Sequence, residues 1–111
     1  MNYIIVDFEM NPVAGEYKAE RQICRSEIIE IGAVIMDESF MVLGEFKTLV
    51  KPQYNDSIYK KYDTLTGIST QMVYGAPSFA IAYEMFVAFA PCSCKKNVIT
   101  FHNFNHFFTG M

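Results

Sequence analysis

The chain has 111 residues, which is enough for one domain with an apolar core. Its hydrophobic fraction of 51%, with ten Phe and seven Tyr, excludes an intrinsically disordered chain. The net charge of −3 excludes attraction of nucleic acid by overall charge, although a bound divalent cation would reverse the local field.

The cysteine content and the apolar runs predict a compartment. Three cysteines, an odd number, fit a reducing cytoplasm, and two acids interrupt the apolar N-terminal run, which argues against a secretory signal. The longest later apolar run, from Phe79 to Cys92, contains Glu84 and is too short to span a bilayer. We therefore expect a soluble cytoplasmic protein with no membrane partner.

The N-terminal segment is predicted to contain a buried strand followed by a loop. Residues 2–8 are rich in Ile, Val and Tyr, a composition typical of a strand that is buried on both faces. The stretch 10–24 loses this pattern, and its Pro12 and Gly15 favour a loop. The strand is therefore expected to end close to its two acidic residues.

Two further strands are predicted to form an antiparallel hairpin. The sequence EIIEIGAVIMDES begins at Glu27, and turn residues at 37–39 join it to MVLGEFKTLVKP, a strand that ends at Pro52. The first strand of the hairpin is predicted to alternate between an apolar face and a second face. The apolar face carries Ile29, Ile31, Ala33 and Ile35, and the second face carries Glu30, Gly32 and Val34.

The C-terminal half is predicted to contain helices and a fourth strand. The polar stretch 54–69 favours short helical turns, and 76–89 is the best helix, with Pro77 at an early position. After a break at 91–97, VITF is the expected fourth strand. The order of elements predicts a single α/β domain over residues 1–111. The core face of the long helix is expected to carry Phe79, Ala82, Tyr83, Phe86, Phe89 and Ala90.

Asp7 and Glu9 are the residues that point most directly to chemistry. Because side chains alternate along a strand, both carboxylates are expected on one face and Phe8 on the other. Two carboxylates on one face repel each other unless a cation neutralises them, and Mg²⁺ and Mn²⁺ prefer such oxygen ligands. The pair therefore predicts a divalent metal site, with a solvated strand end as the alternative.

Five segments, in order and spacing, resemble the DnaQ-like (DEDD) 3′–5′ exonuclease family of the ribonuclease H-like superfamily. They are VDFEM, EIIEIGAVIMDE, FKTLVKP, YDTLTGIS and the helix that begins with APSF, and they cover the chain from Tyr3 to about Phe101. The likeness is greater to the branch that includes the ERI-1-like exonucleases and the sporulation inhibitor KapD. It implies a ribonuclease H-like mixed sheet of three antiparallel strands plus a parallel fourth, with flanking helices.

The resemblance also implies a reaction and a site. The implied reaction is hydrolysis of the terminal phosphodiester at the 3′ end of single-stranded DNA or RNA, releasing nucleoside monophosphates with two Mg²⁺ or Mn²⁺ ions. Asp7 and Glu9 match the family's first motif and are the implied catalytic residues and metal ligands, with Glu9 also orienting the attacking water. The implied substrate-binding residues are Phe8, Met10, Leu65, Thr66 and Ile68.

The C-terminal segment departs from the family pattern. Asn105 stands where the second motif would place an Asp, and its amide brings no charge to a metal ion. The third motif, a His followed by an Asp, has no counterpart before Met111, because no acid follows His102 or His106. We therefore expect a domain that is incomplete at its C-terminus, in which a homodimer could cover the exposed fourth strand. The departures leave a second function open, a catalytically inactive module that binds nucleic acid or protein.

Cys92, Cys94, His102 and His106 form a rival constellation. Thiolates and imidazoles are the usual ligands of Zn²⁺, and four of them could hold the ion. The C-x-C spacing is tighter than that of the usual structural zinc sites, so inert thiols and ordinary histidines are the alternative.

Five other residues keep two interpretations. Tyr59 and Tyr62 could stack on single-stranded nucleic acid or simply occupy a surface turn. Glu30 could support the metal site from the neighbouring strand or face solvent. Leu65 and Ile68 could contact the nucleotide or fill the core around a turn.

Overall fold

The computed structural model describes residues 2–23, 25–55 and 57–90, together with the backbone of 98–102. Within these residues, half of the eight elements are strands of one sheet. The strands are β1 (Tyr3–Pro12), β2 (Ser26–Met36), β3 (Val42–Leu49) and β4 (Val98–His102), and the helices are α1 (Lys18–Ile23), α2 (Lys60–Thr66), α3 (Thr70–Tyr74) and α4 (Phe79–Phe89).

The sheet has the strand order β3-β2-β1-β4. β2 is antiparallel to both β1 and β3, which confirms the predicted set of three antiparallel strands. β1 also pairs in parallel with β4, from Ile4 opposite Val98 to Phe8 opposite His102. Since β1 is hydrogen-bonded on both sides over these residues, its side chains are held in fixed positions.

β1 is longer than predicted. The expectation that it ends close to its two acids was wrong, because its pairing with β2 continues as far as Pro12. Glu9 pairs with Glu30 and Met10 pairs with Ile28, so β2 carries one additional residue at this point. The two acids consequently lie inside the strand and not at its end.

This β-bulge reverses the predicted orientation of Ile29. Ile31 and Ile35 pack in one core cluster, whereas Ile29 packs with Ile58 in another. One extra residue is sufficient because side chains alternate with a period of two, so a shift by one residue moves every later side chain to the other face.

The stretch 10–24 is not entirely a loop, contrary to the prediction. It contains the end of β1 and the six-residue helix α1. None of the residues of α1 is buried. Hydrophobic periodicity, which is the main signal of a helix in a sequence, therefore could not reveal it.

Two hydrophobic clusters lie on opposite faces of the sheet. The first is covered by α4 and the second by the segment that contains α2 and α3. The buried members of the first are Ile4, Val6, Ile31, Ala33, Ile35, Val50, Ala82 and Ala90. The buried members of the second are Ile29, Ile58, Ile68 and Val73, with Leu49 and Tyr62 packed against them.

α4 confirms the helix predicted in 76–89, but it begins at Phe79, two residues after Pro77. Ser78 is its N-cap and accepts a hydrogen bond from the Ile81 N–H at 3.4 Å. Pro77 therefore precedes the cap and is not helical. No helix in the described ranges has the length and apolar character needed to cross a membrane.

The core face of α4 is narrower than predicted. Phe86 and Phe89 stack around Phe46 of β3, with ring centroids 6.1 Å and 5.3 Å from it. Phe79 and Tyr83, which were predicted to be in the core, are instead 47% and 53% exposed. In the described part of the chain, α4 is covered along the stripe that faces β2 and β3.

Three buried polar side chains attach the loop 50–59 to the end of the sheet. Glu27 accepts hydrogen bonds from the backbone N–H groups of residues 53, 54 and 55, at 2.6, 2.8 and 3.1 Å. Asn11 donates to the Ser57 carbonyl and accepts from the Tyr59 N–H. Asn55 accepts from the Ala14 N–H and donates to the Pro12 carbonyl. This network holds the segment that leads into α2 and α3.

Replacing Glu27 with Ala is expected to lower the free energy of unfolding by about 2–4 kcal/mol, because three backbone donors lose a charged acceptor. Urea unfolding monitored by circular dichroism measures the change. Glu16→Ala, which removes an exposed acid, is the matched control and is expected to change stability by less than about 0.5 kcal/mol. Equal effects of the two substitutions would show that the loop is held by other contacts.

Candidate functional site

Charged side chains gather on the sheet face opposite α4, where two rows of residues cross three strands. Residues directly opposite each other on paired strands project to the same face. Each row contains one residue from each of β1, β2 and β3. The rows are Asp7–Gly32–Lys47 and Glu9–Glu30–Leu49. We call these six residues the two-row site.

The register places the predicted pair of acids on one face. Asp7 lies opposite Gly32 and Glu9 opposite Glu30, so the two carboxylates occupy adjacent rows. Phe8 packs against the first cluster, on the α4 side of the sheet. The predicted alternation of these three residues is therefore confirmed. Glu9 is only 7% exposed, which argues against a solvated strand end.

Negative charge predominates in the two-row site. Burial is the main cause that raises the pKa of Glu9 above its ordinary value of 4.5, and the charges of Asp7 and Glu30 raise it further. Burial likewise raises the pKa of Glu30, which Lys47 lowers and Asp7 raises. Three carboxylates thus face one ammonium group, and the folded chain holds Glu9 in a setting that disfavours its charge.

Lys47 neutralises this charge only in part. Its Nζ lies 3.8 Å from Glu30 Oε2, and its side chain is 73% exposed whereas that of Glu30 is 16% exposed. An ion pair with so exposed a partner contributes little, because water screens it. Glu30 is directed toward the acids and not toward solvent, so its predicted solvent-facing alternative was wrong.

The donor chemistry of Asp7 and Glu9 fits a hard divalent cation. Carboxylate oxygens are the ligands that Mg²⁺ and Mn²⁺ prefer, and a cation would relieve the repulsion that raises the pKa of Glu9. Two carboxylates are only part of a coordination sphere. In the described part of the chain, no group of three or more His, Cys, Asp or Glu residues is arranged to hold a metal ion.

Phe8 and Met10 do not lie on the face that carries the acids. Phe8 belongs to the first cluster, and Met10 lines a cavity of about 340 Å³ with Ile28 and Val50, which are also part of that cluster. Met10 follows Phe8 by two residues in the same strand, so the alternation of side chains places both on this face. Contact of either residue with substrate stays a prediction, and their positions favour a role in packing.

The segment from Leu65 to Ile68 closes α2. Gly67 has a φ of 74° and donates its N–H to the Asp63 carbonyl, a left-handed helix end that favours glycine. Thr66 Oγ1 donates to the Tyr62 carbonyl at 2.7 Å and accepts from the Ile68 N–H at 3.1 Å. Ile68 is 3% exposed and belongs to the second cluster. Its core-filling alternative is therefore observed, and substrate contact by Leu65 and Thr66 stays a prediction.

The remaining candidates have separate positions. Tyr59 is 43% exposed, whereas Tyr62 packs against the second cluster. Asn105, the doubtful second-motif position, lies outside the described residues. The same holds for the proposed zinc ligands Cys92, Cys94 and His106 and for the side chain of His102.

Sequence reasoning missed the association of Gly32 and Lys47 with the acids. Gly32 was placed correctly on the second face of its strand, but the pairing of β2 with both neighbours was needed to bring it between Asp7 and Lys47. The signal in the sequence is weak, because register between strands is set by turns and bulges that no local pattern specifies.

Three comparisons identify similar proteins. The model of the RNase_T exonuclease family matches residues 4–111. A Mycobacterium tuberculosis protein named as a bifunctional exonuclease/endonuclease is 39% identical over 101 residues, which are 91% of this chain and 14% of that protein. The chain therefore spans a small part of this relative's length.

Two solved structures have a similar fold. The nuclease domain of 3′hExo, a DEDDh family member bound to rAMP, has a TM-score of 0.70 and 21% identity over 92% of this chain and 51% of that chain. Escherichia coli exonuclease I in complex with a dT13 oligonucleotide has a TM-score of 0.58 and 16% identity over 91% of this chain and 20% of that chain.

Replacing Glu9 with Gln is expected to raise the free energy of unfolding of the metal-free protein at neutral pH. The pKa of Glu9 is higher in the folded chain than 4.5, so the fold loses stability as pH rises from that value through the raised pKa. The gain of the variant should therefore be absent below pH 4.5 and complete above the raised pKa. Chemical denaturation across this range, with exposed Glu45→Gln as the control, measures it. A pH-independent difference between Glu9→Gln and wild type would contradict the assignment.

Proposed function

Because the chain belongs to the RNase_T exonuclease family, we propose that it is a metal-dependent domain for hydrolysis of the 3′-terminal phosphodiester of single-stranded DNA or RNA. The family membership confirms the resemblance predicted from the five segments. The observation that carries the proposed chemistry is the placement of Asp7 and Glu9 in adjacent rows on one face of β1.

Asp7 and Glu9 are the residues that would hold Mg²⁺ or Mn²⁺. Such ions, when bound, lower the pKa of a coordinated water and stabilise charge on the leaving oxygen. The chain supplies the fixed geometry for this chemistry, since β1 is paired on both sides beside Asp7. Glu9 is nearly buried in the adjacent row, and in this position it orients the attacking water.

A nucleic acid with an accessible 3′ end is the proposed substrate. The support comes from similar folds, since the 3′hExo nuclease domain is bound to rAMP and exonuclease I to a dT13 oligonucleotide. A substrate phosphate could approach the acids only in the presence of cations, because Lys47 is the one cation whose charge acts on Glu9 among the described residues. The requirement for a metal thus follows from the charge of the site as well as from the family.

The chain spans 14% of its M. tuberculosis relative and 51% of the 3′hExo chain. For this chain we propose the part of the reaction that Asp7 and Glu9 perform. The whole activity of the longer proteins is not assigned to it.

Asp7→Asn and Glu9→Gln are each expected to reduce cleavage of 5′-labelled single-stranded DNA and RNA by at least about a hundredfold. Each substitution keeps the shape of the side chain and removes the charge that holds the cation. Gel electrophoresis in Mg²⁺ or Mn²⁺ shows the ladder of products shortened from the 3′ end. Glu16→Gln, which changes an exposed acid outside the two-row site, is the control and should cleave as wild type does.

A ladder that persists in both Asp7→Asn and Glu9→Gln would contradict the assignment of the site. Products shortened from the 5′ end, tested with 3′-labelled substrate, would contradict the direction. Addition of EDTA should stop the wild-type reaction, and Mn²⁺ should restore it.

A catalytically inactive module that binds nucleic acid is the second candidate. It is favoured by the absence of a three-ligand metal group in the described part of the chain. Calorimetry with Mn²⁺ separates the two functions. The nuclease is expected to bind Mn²⁺ in a manner that Asp7→Ala abolishes, whereas the inactive module should bind weakly and equally with and without this substitution.

A further inference from the structure

Lys47 occupies a position that its ion pair with Glu30 does not explain. It ends the row that begins at Asp7, two strands away, which is about 10 Å across the sheet. Its side chain is 73% exposed, so most of its ammonium group faces solvent and only one edge contacts Glu30. A cation beside three carboxylates that remains largely exposed is available to a second anion.

Gly32 lies between Asp7 and Lys47, and packing does not require a glycine there. Among the described residues, a Cβ at this position would meet only the Asp7 carbonyl oxygen, at 3.8 Å, an ordinary contact. Among the described glycines, Gly67 has the positive φ that favours this residue, whereas Gly32 does not. Glycine in the interior of a strand weakens the strand. The missing side chain does, however, leave a gap in the sheet surface between the acid and the ammonium group.

Exposure on the two sides of the sheet supports a groove that is open at Gly32 and Lys47, whereas Asp7 Oδ1 is buried. On the α4 side, Val6 and Ala33 are 2% and 6% exposed. On the other side, Asp7 and Gly32 are half-buried and Lys47 is exposed. Among the described residues, the second cluster reaches this face at the neighbouring row, where Leu49 packs against it.

We propose that Asp7, Gly32 and Lys47 line a track for the phosphate backbone of a single-stranded nucleic acid, with Gly32 as its floor and Lys47 as its phosphate contact. The proposal rests on the proposed function and adds how the substrate is positioned. Lys47 holds a phosphate that is not cleaved, so that the terminal phosphodiester lies at Asp7 and Glu9.

Binding of a fluorescein-labelled single-stranded oligonucleotide in Ca²⁺, a cation that carboxylates also bind, tests this track through affinity and not through cleavage. Lys47→Gln is expected to raise the Kd about tenfold, the loss of one charged hydrogen bond. Lys47→Arg should restore binding to within about threefold of wild type, since it keeps the charge. Lys18→Gln, which removes an exposed lysine on α1, is the matched control for net charge.

Glu30→Gln separates a phosphate contact from a structural ion pair. If Lys47 acts only by holding Glu30, this substitution should weaken binding as Lys47→Gln does. The track predicts the opposite, because loss of a negative charge beside the phosphate should leave binding equal or tighter. Equal Kd values for Lys47→Gln and Lys18→Gln, or equal weakening by Lys47→Gln and Glu30→Gln, would overturn the proposal. Absence of wild-type binding would overturn it as well.

Gly32→Val tests the floor of the groove. Because Val is favoured in strands and a Cβ is tolerated here, the thermal midpoint should be unchanged or higher. Oligonucleotide binding should nevertheless weaken at least about fivefold, as expected when a side chain obstructs one contact. A folded Gly32→Val variant that binds as wild type would contradict the track.

Cleavage assays distinguish failure of the track from failure of the nuclease proposal. With active wild type, Lys47→Gln should raise KM about tenfold and change kcat by less than about twofold, while the affinity for Mn²⁺ stays equal or increases. A wild-type chain that binds oligonucleotide through Lys47 but never cleaves would refute the nuclease proposal and retain the track. Wild-type cleavage that Lys47→Gln leaves unchanged would refute the track and retain the nuclease proposal.

Discussion

The two-sided pairing of β1 is the constraint on which the candidate site depends. Over residues 4–8 this strand is hydrogen-bonded to β2 on one side and to β4 on the other. The backbone of Asp7 cannot move without breaking sheet hydrogen bonds, and Glu9 follows it in the same strand, paired with β2. Asp7 and Glu9 are therefore held in adjacent rows although their charges repel each other. A flexible loop would allow the same two acids to separate and would lose the tendency to bind a cation.

The sheet concentrates this repulsion by placing Glu30 beside Glu9. Burial raises the pKa of both residues, and the exposed ammonium of Lys47 offsets only part of the negative charge. Such an arrangement costs stability in the metal-free chain, as is common where a binding site violates the rules that stabilise a core. The cost is tolerated because the opposite face of the same strands carries the well-packed first cluster.

One face of the sheet thus contributes to the apolar core, and the other face carries the candidate site. α4 covers the apolar face, while the segment with α2 and α3 covers only one end of the acidic face. That segment is attached by buried polar groups, chiefly the Glu27 carboxylate that accepts three backbone N–H groups. The described members of the second cluster do not include Asp7, Gly32 or Lys47.

Local patterns in the sequence determined the elements and the identity of the acids. The alternation of apolar residues indicated the hairpin and the long helix, and Asp7-x-Glu9 placed two carboxylates on one face, because the side-chain period of a strand is fixed by its backbone. The order of five segments indicated the family, since several weak patterns in a fixed order are specific together.

Tertiary structure alone decided the extent of β1, the bulge and the composition of the two rows. The bulge at Ile29 reversed one side chain, and pairing of β2 with both neighbours brought Gly32 and Lys47 into line with Asp7. No local pattern could specify these contacts, because register depends on hydrogen bonds between segments that are distant in the chain. The sequence therefore identified the acids of the site, whereas the pairing of the strands determined which residues lie beside them.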